Sequence, residues 1–358
     1  MTIENRKNDH IDICLDKGVK ATRNWWDDII LLHSALPSCD MDEVDLRVDY
    51  LGKRLEAPLI ISAMTGGSQK AKEYNEMLSR AAEEFGIGMG VGSQRASLER
   101  KMHRDSYEIV KEYDIPLILG NIGAPQLSHT TSNGRKMRKR YSEEILKEAV
   151  EMVGADGVCV HLNYLQEVVQ PEGETTVTGV LESITDLSGE FKIVAKETGA
   201  GISRDTAMKL KDSGVASLDV GGLSGTTFAG VESYRGDKRC SRIGRTFWDW
   251  GIPTPISVIE SDVGLPLIST GGLRNGLDVA RSLALGADIG GMAWILLKAA
   301  SQGYESLREE LSNIIYELKT AIFLTGGATC SDLDRDICFI TGPTHTILKQ
   351  IERNNKPD

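Results

Sequence analysis

The densest chemistry in this sequence lies in Val158-Cys159-Val160-His161-Leu162-Asn163-Tyr164-Leu165-Gln166-Glu167. An apolar run passes directly into an imidazole, two amides and one carboxylate. Glu167 suits a hard cation such as Mg2+, which takes few protein carboxylates and fills its remaining positions with phosphate oxygens and water. Gln166 does not titrate, so it can orient or relay but not act as a strong acid. Other polar groups end other apolar runs. Ser93-Gln94-Arg95 offers a hydroxyl, an amide and a guanidinium in a row, and a guanidinium matches two phosphate oxygens at once. Lys196 closes the run Val194-Ala195-Lys196. A lysine there is costly unless it meets an anion or an electron-rich ring.

Glycine-rich turns form a second group. Thr270-Gly271-Gly272-Leu273-Arg274-Asn275 and Gly291-Met292-Ala293-Trp294 each follow an apolar run and open a helix-like segment. Glycine lets an oxyanion approach backbone N–H groups, and a helix start favours negative charge. Asp219-Val220-Gly221-Gly222-Leu223-Ser224-Gly225-Thr226-Thr227 has the same style. There is no G-x-S-x-G, no H-E-x-x-H, no P-loop and no zinc spacing, so triad or metal-hydroxide hydrolysis has no support.

These groups need a scaffold that brings many strand ends together. Apolar strands are expected at Pro58–Ala63, Ile87–Val91, Pro116–Asn121, Gly157–His161, Lys192–Lys196, Ala216–Val220, Pro266–Ser269 and Ile289–Ala293. Helical segments separate them: Gln69–Glu84, Arg104–Tyr113, Ser142–Val153, Thr178–Leu187, Arg204–Ser213 and Gly276–Leu285, with Ile295–Ala300 closing the series. Strands alternating with helices specify a parallel sheet. Eight such units over roughly 240 residues predict an α/β fold of the (β/α)8 TIM-barrel kind, whose chemistry sits at the carboxyl ends of its strands. The expected organisation is a single domain: an N-terminal extension over 1–57, the barrel over 58–300 and a helical extension over 301–358, with a helix at Tyr304–Phe323.

Three stretches fall outside the repeat. Residues 1–18 are highly charged and read by composition as a frayed terminus, although Arg6-Lys7 beside His10 could fold over an anion. Gln126–Arg140 ends in the basic run Arg135-Lys136-Met137-Arg138-Lys139-Arg140. The connection Gly221–Glu260 is long and irregular, and Phe247, Trp248 and Trp250 within it suit a lid or a subunit contact.

A net charge of −11 disfavours a nucleic-acid partner, and cationic motifs in an acidic chain point to an anionic small ligand. Six scattered cysteines with no C-x-x-C pair suit a reducing compartment. No run approaches the roughly 20 apolar residues of a membrane span, so a cytoplasmic, non-membrane protein is expected.

With these motifs in order, the sequence resembles the type 2, FMN-dependent isopentenyl-diphosphate isomerases. The resemblance rests on Arg6-Lys7 with Asp9-His10, Met64-Thr65-Gly66-Gly67, Gly92-Ser93-Gln94-Arg95 and Asn121-Ile122-Gly123. It continues through His161-Leu162-Asn163 with Gln166-Glu167, Lys196-Glu197-Thr198-Gly199, and Thr270-Gly271-Gly272-Leu273-Arg274. It implies interconversion of isopentenyl and dimethylallyl diphosphate, with reduced FMN, Mg2+, and NADPH or another reductant for the flavin. It implies flavin contacts at Ala63, Met64, Thr65, Ser93, Asn121, Lys196, Thr226, Gly272, Leu273, Arg274, Ala293 and Trp294. Diphosphate contacts fall at Arg6, Lys7, Ser93, Gln94, Arg95 and Gln166, and the metal at Glu167. Gln166, His161 and Asn163 are the catalytic candidates. The charged N-terminus is then expected to fold over the diphosphate, and a homo-oligomer, tetramer or octamer, is expected. An FMN-dependent hydroxy-acid oxidase is the rival enzyme and a phosphate- or flavin-binding sensor the rival binder; fold analogy alone cannot choose among them.

Overall fold

The computed structural model describes residues 3–132, 135–139 and 141–354. Eight parallel strands close into a barrel in chain order: β1 Leu59–Ile61, β2 Gly88–Gly90, β3 Ile118–Gly123, β4 Gly157–Leu162, β5 Ile193–Glu197, β6 Ser217–Asp219, β7 Leu267–Thr270 and β8 Ile289–Met292. β8 returns to β1 through the pair Gly291 and Ile60. The helices Gln69–Glu84, Glu143–Val153, Val180–Ser188, Arg204–Asp212 and Gly276–Ala284 pack outside. Both faces of each strand are therefore covered, which is why the strands read as continuous apolar runs.

Side chains alternate across these strands, and the alternation places the chemistry. The lumen is filled by Ile60, Leu119, Cys159, Val194, Ile268 and Ile289, while Tyr50 and Leu55 plug its lower end. Tyr50 and Leu55 come from a hairpin, Val48–Tyr50 with Lys53–Leu55. Leu59, Ile61, Val158, Val160, Ile193 and Ala195 face the outer layer instead. Two positions beyond each lumen residue the strand again faces inward, now at the mouth. Those positions are Ser62, Asn121, His161, Lys196, Thr270 and Gly291, and all six line one cavity.

Several sequence expectations need correction. The charged terminus is not frayed: Ile3–Asp16 is a helix, anchored by buried Ile11 and packed against the helices Gln69–Glu84, Phe228–Ser233 and Trp294–Ala300. The long connection after β6 holds three helices, Phe228–Ser233, Lys238–Thr246 and Thr254–Glu260. Thr227 and Asp237 accept from the first turns of the first two, a capping signal masked by the glycines around them. The insertion contains a hairpin, His129–Ser132 with Arg135–Lys139; the side chains of its basic run lie outside the described residues. A short strand near the carboxyl end, Cys338–Ile340, pairs antiparallel with Ile29–Leu31.

Candidate active site

The cavity at the mouth has a volume of about 380 Å3. One wall, from β3, β4 and the helices Tyr164–Val169 and Phe228–Ser233, is a web of charged and polar side chains. At its centre is Glu232, fully buried. Its Oε1 meets His10 Nε2 at 2.8 Å and accepts from Gln166 Nε2 at 2.8 Å, and its Oε2 accepts from Arg235. Burial pushes this carboxyl up, but the hydrogen bond and charge of His10, the charge of Arg235 and the Gln166 amide outweigh it and hold it below the ordinary range. Gln166 Oε1 in turn accepts from Asn163 Nδ2 at 3.1 Å, and the same Nδ2 donates to Glu167 Oε1 at 3.1 Å. The Gln166 amide is thus fixed in one orientation by an acceptor at one end and a donor at the other. Glu167 Oε2 accepts from Gln170 Nε2 and from the Glu174 amide, both at 2.6 Å.

His161 is fixed in the same manner. Asn121 Nδ2 donates to Val91 O at 3.0 Å, so its Oδ1 faces His161 Nδ1 at 2.7 Å. That nitrogen must carry the proton. Arg95 reaches Glu174 at 2.6 Å and Glu99 at 3.2 Å, and Lys7 Nζ donates to Ser93 O at 3.1 Å.

The facing wall, from β6, β7 and β8, is mostly backbone. Gly271 and Gly272 have φ of 112° and 79°, in the region that favours glycine. Asn24 Nδ2 donates to Gly272 O at 2.8 Å and Trp26 Nε1 to Gly271 O at 3.0 Å. Because a peptide is planar and trans, the N–H groups of Gly272 and Leu273 face the opposite way from those carbonyls. A Cβ on Gly225 would come 2.6 Å from the Gly272 nitrogen, so this loop is packed backbone on backbone. Between the walls, Lys196 pairs with Asp219, which also accepts from Thr270. Glu197 lies beside them. Its Oε2 accepts from four consecutive amides, Thr198 to Gly201, at 2.5–3.1 Å. Burial nevertheless pushes its pKa up to about 7.

Lys7, Ala63, Met64, Ser93, Arg95, Asn121, His161, Asn163, Gln166, Glu167, Lys196, Thr226, Gly272, Leu273, Arg274, Ala293 and Trp294 all line this cavity. Gln94 does not. It is fully buried behind the wall, donating to Ala149 O at 2.8 Å and accepting from Asn121 N at 2.8 Å, so it braces β3 instead of reaching a ligand. Thr65 is likewise buried behind the rim, where its carbonyl accepts from Gly92 N at 2.9 Å. The Arg6 side chain lies outside the described residues. Arg274 is at the rim, bonded to Asp278 at 2.7 Å and Asp27 at 2.6 Å. Residue types alone did not flag Glu232, Lys20 or Asn24. The signal for Glu232 was a single carboxylate directly after the apolar Phe228-Ala229-Gly230-Val231 run.

The FMN-dependent dehydrogenase family profile matches residues 4–109 and 253–339. The isopentenyl-diphosphate delta-isomerase of Thermoplasma acidophilum is 47% identical over 351 residues, 97% of this chain and 99% of that protein. Those of Methanothrix thermoacetophila and Archaeoglobus fulgidus are 48% and 44% identical, over 96% of this chain in each case and 95% and 97% of theirs. Among solved structures, flavocytochrome b2 with pyruvate bound superposes with a TM-score of 0.64 at 18% identity, covering 98% of this chain and 88% of that one. A mandelate oxidase mutant with (S)-mandelic acid gives 0.59 at 14% identity, covering 92% and 94%. At these identities the likeness to both structures is one of fold.

Proposed function

On the premise that this chain belongs to the isopentenyl-diphosphate delta-isomerase family, we propose that it interconverts isopentenyl and dimethylallyl diphosphate using FMN and Mg2+. The observation that carries this reading is the paired construction of one cavity. One wall is glycine backbone suited to a phosphorylated flavin, and the other is a fixed array of amides, imidazole and cations suited to a diphosphate.

The residues fit the groups proposed for them. The Ser62 hydroxyl at the β1 end lines the cavity and is buried with no partner among the described residues, as a position awaiting a polar ligand would be. Ala63, Met64, Asn121, Lys196, Thr226, Gly272, Leu273, Ala293 and Trp294 would hold the flavin. For Mg2+ the donor set is sparse: the described residues contain no group of three His, Cys, Asp or Glu side chains that could hold an ion. That suits an ion bound through Glu167 and the substrate's own phosphate oxygens.

A hydrocarbon chain offers no handle, so the diphosphate must anchor it for a proton to be added at one carbon and removed from another. Lys7, His10, Ser93 and Arg95 supply that anchor from the helix Ile3–Asp16 and the β2 end. Reduced FMN, when bound, supplies the proton exchange through its ring nitrogens. The chain supplies orientation. Gln166, pinned between Glu232 and Asn163, presents one fixed amide to the substrate. His161, with Nδ1 committed to Asn121, holds its imidazole in one orientation at the cavity wall.

An anaerobic assay tests this. Isopentenyl diphosphate with Mg2+ and reduced FMN is expected to yield dimethylallyl diphosphate while the flavin stays reduced; oxidised FMN is expected to yield none. Oxidation of the flavin by lactate or mandelate would instead move the chain to the hydroxy-acid oxidases. Gln166→Ala is expected to lower turnover far more than FMN affinity, and an unchanged rate would remove Gln166 from the mechanism.

A further inference from the structure

The glycine wall has a charge problem. An FMN phosphate carries about −1.5 to −2 near neutral pH, and Arg274, the guanidinium that the sequence puts nearest that wall, is already matched. It sits between Asp27 and Asp278, and Asp278 also takes Arg281 at 2.7 Å. Two guanidiniums against two carboxylates leave no net positive charge.

A different cation reaches the same end of the cavity. Lys20 lines it together with Gly225, Thr226, Gly272, Ala293 and Trp294. Its backbone is clamped there: Lys20 bridges Thr226, Ala21 N donates to Gly225 O at 2.8 Å, and Thr227 N donates to Val19 O at 3.0 Å. From the other side Trp248 Nε1 donates to Lys20 O at 2.8 Å. The Lys20 ammonium lies 3.3 Å from the centre of the Trp294 ring, a cation–π placement at the exposed rim that fixes a charge without neutralising it. No carboxylate pairs with Lys20 among the described residues. Burial and the charge of Lys298 both push its pKa down, as expected of a cation with no anion beside it.

We propose that Lys20, held on Trp294 by the segment Val19–Ala21, is the residue that neutralises the phosphate of the flavin and so selects FMN over unphosphorylated riboflavin. This rests on the flavin reading of the cavity but not on the isomerase reaction. The ring of Trp294 serves as a platform: it holds the ammonium at the cavity wall until a phosphate takes over as its partner.

The test is equilibrium titration of the flavin-free protein with FMN and with riboflavin, followed by flavin fluorescence. Lys20→Met is expected to weaken FMN at least tenfold and leave riboflavin unchanged, and Lys20→Arg to restore most of the preference. The salt dependence of FMN binding is expected to become shallower in Lys20→Met. Equal affinities of wild type and Lys20→Met for FMN would overturn the assignment, and so would a parallel loss for both flavins, which would mean only that the segment had shifted. If the wild-type protein bound neither flavin, the flavin reading itself would fail; if it bound FMN but produced no dimethylallyl diphosphate, the role of Lys20 would stand and the isomerase reading would not.

Discussion

The β3–β4 wall and the β6–β8 wall face each other across one cavity, yet they are built from different materials. The first depends on side chains that hold one another: His10, Gln166 and Arg235 converge on Glu232, and Asn163 links Gln166 to Glu167. The second depends on backbone that side chains could only obstruct, held from behind by Asn24 and Trp26. A web of side chains can be retuned one group at a time. A backbone cradle is either in place or not. This division suits the diphosphate proposed for one side and the cofactor phosphate proposed for the other.

The largest expected effect separates the walls by removing the centre of the web. Glu232→Ala takes the buried carboxylate from Arg235, whose side chain is 2% exposed, and losses of about 3–5 kcal/mol follow from breaking such a pair. The urea midpoint should fall sharply while FMN affinity, measured well below the transition, stays near wild type; a proportional loss of both would mean that the two walls are one unit. Next comes Glu197, at the seam. Its folded-state pKa is raised from about 4.5 to about 7, so between those values the folded protein keeps a proton that the unfolded chain has released. Stability contributed by this group therefore falls as pH rises through that window, and the full cost is present above pH 7. Glu197→Gln should abolish this trend, gaining about 3 kcal/mol relative to wild type between pH 4.5 and 7.5; parallel melting curves across that range would contradict it.

Gly272→Ala strikes only the cradle. Its Cβ would meet the Ser224 Cβ at 2.5 Å with φ at 79°, and the left-handed conformation alone costs about 1–2 kcal/mol. FMN affinity should drop about tenfold or more, with the melting temperature of the apo-protein moving only slightly. The smallest change distinguishes a brace from a binding group. Gln94→Leu leaves buried polar partners unmet and should cost about 1–3 kcal/mol of stability, while KM for the diphosphate stays unchanged. A raised KM with intact stability would return Gln94 to the substrate site.

The barrel and the floor of its mouth were legible because strand periodicity is a local property. Once Cys159 and Val194 are read as lumen residues, His161 and Lys196 must follow at the mouth. The glycine turns after β6, β7 and β8 were legible for the same reason. What lay beyond the sequence was set by contacts between distant segments. The helix Ile3–Asp16 is mostly polar, and it is held by packing on the helices Phe228–Ser233 and Trp294–Ala300. Glu232 gains its meaning only when His10 and Gln166, 222 and 66 residues away, arrive beside it. Gln94 misled for a related reason. It stands next to Ser93 and Arg95, but one residue along the chain turns the side chain from the cavity into the wall.

The antiparallel pairing of Ile29–Leu31 with Cys338–Ile340 joins an early segment to one that follows all eight barrel strands. Asp28, immediately before the first of these strands, bonds Thr341 and Thr344, the former 313 residues along the chain. The segment that carries Lys20, Asn24 and Trp26 thus runs into an anchor that the ribosome delivers only after the last barrel strand. Contacts closed over so long a loop form late. During translation the eight strands can find their neighbours in order, while the flavin end of the mouth waits for its backing. Cofactor loading should therefore be completed only once Cys338–Ile340 is in place, and a nascent chain stalled before Cys338 should carry a closed barrel that holds FMN less tightly.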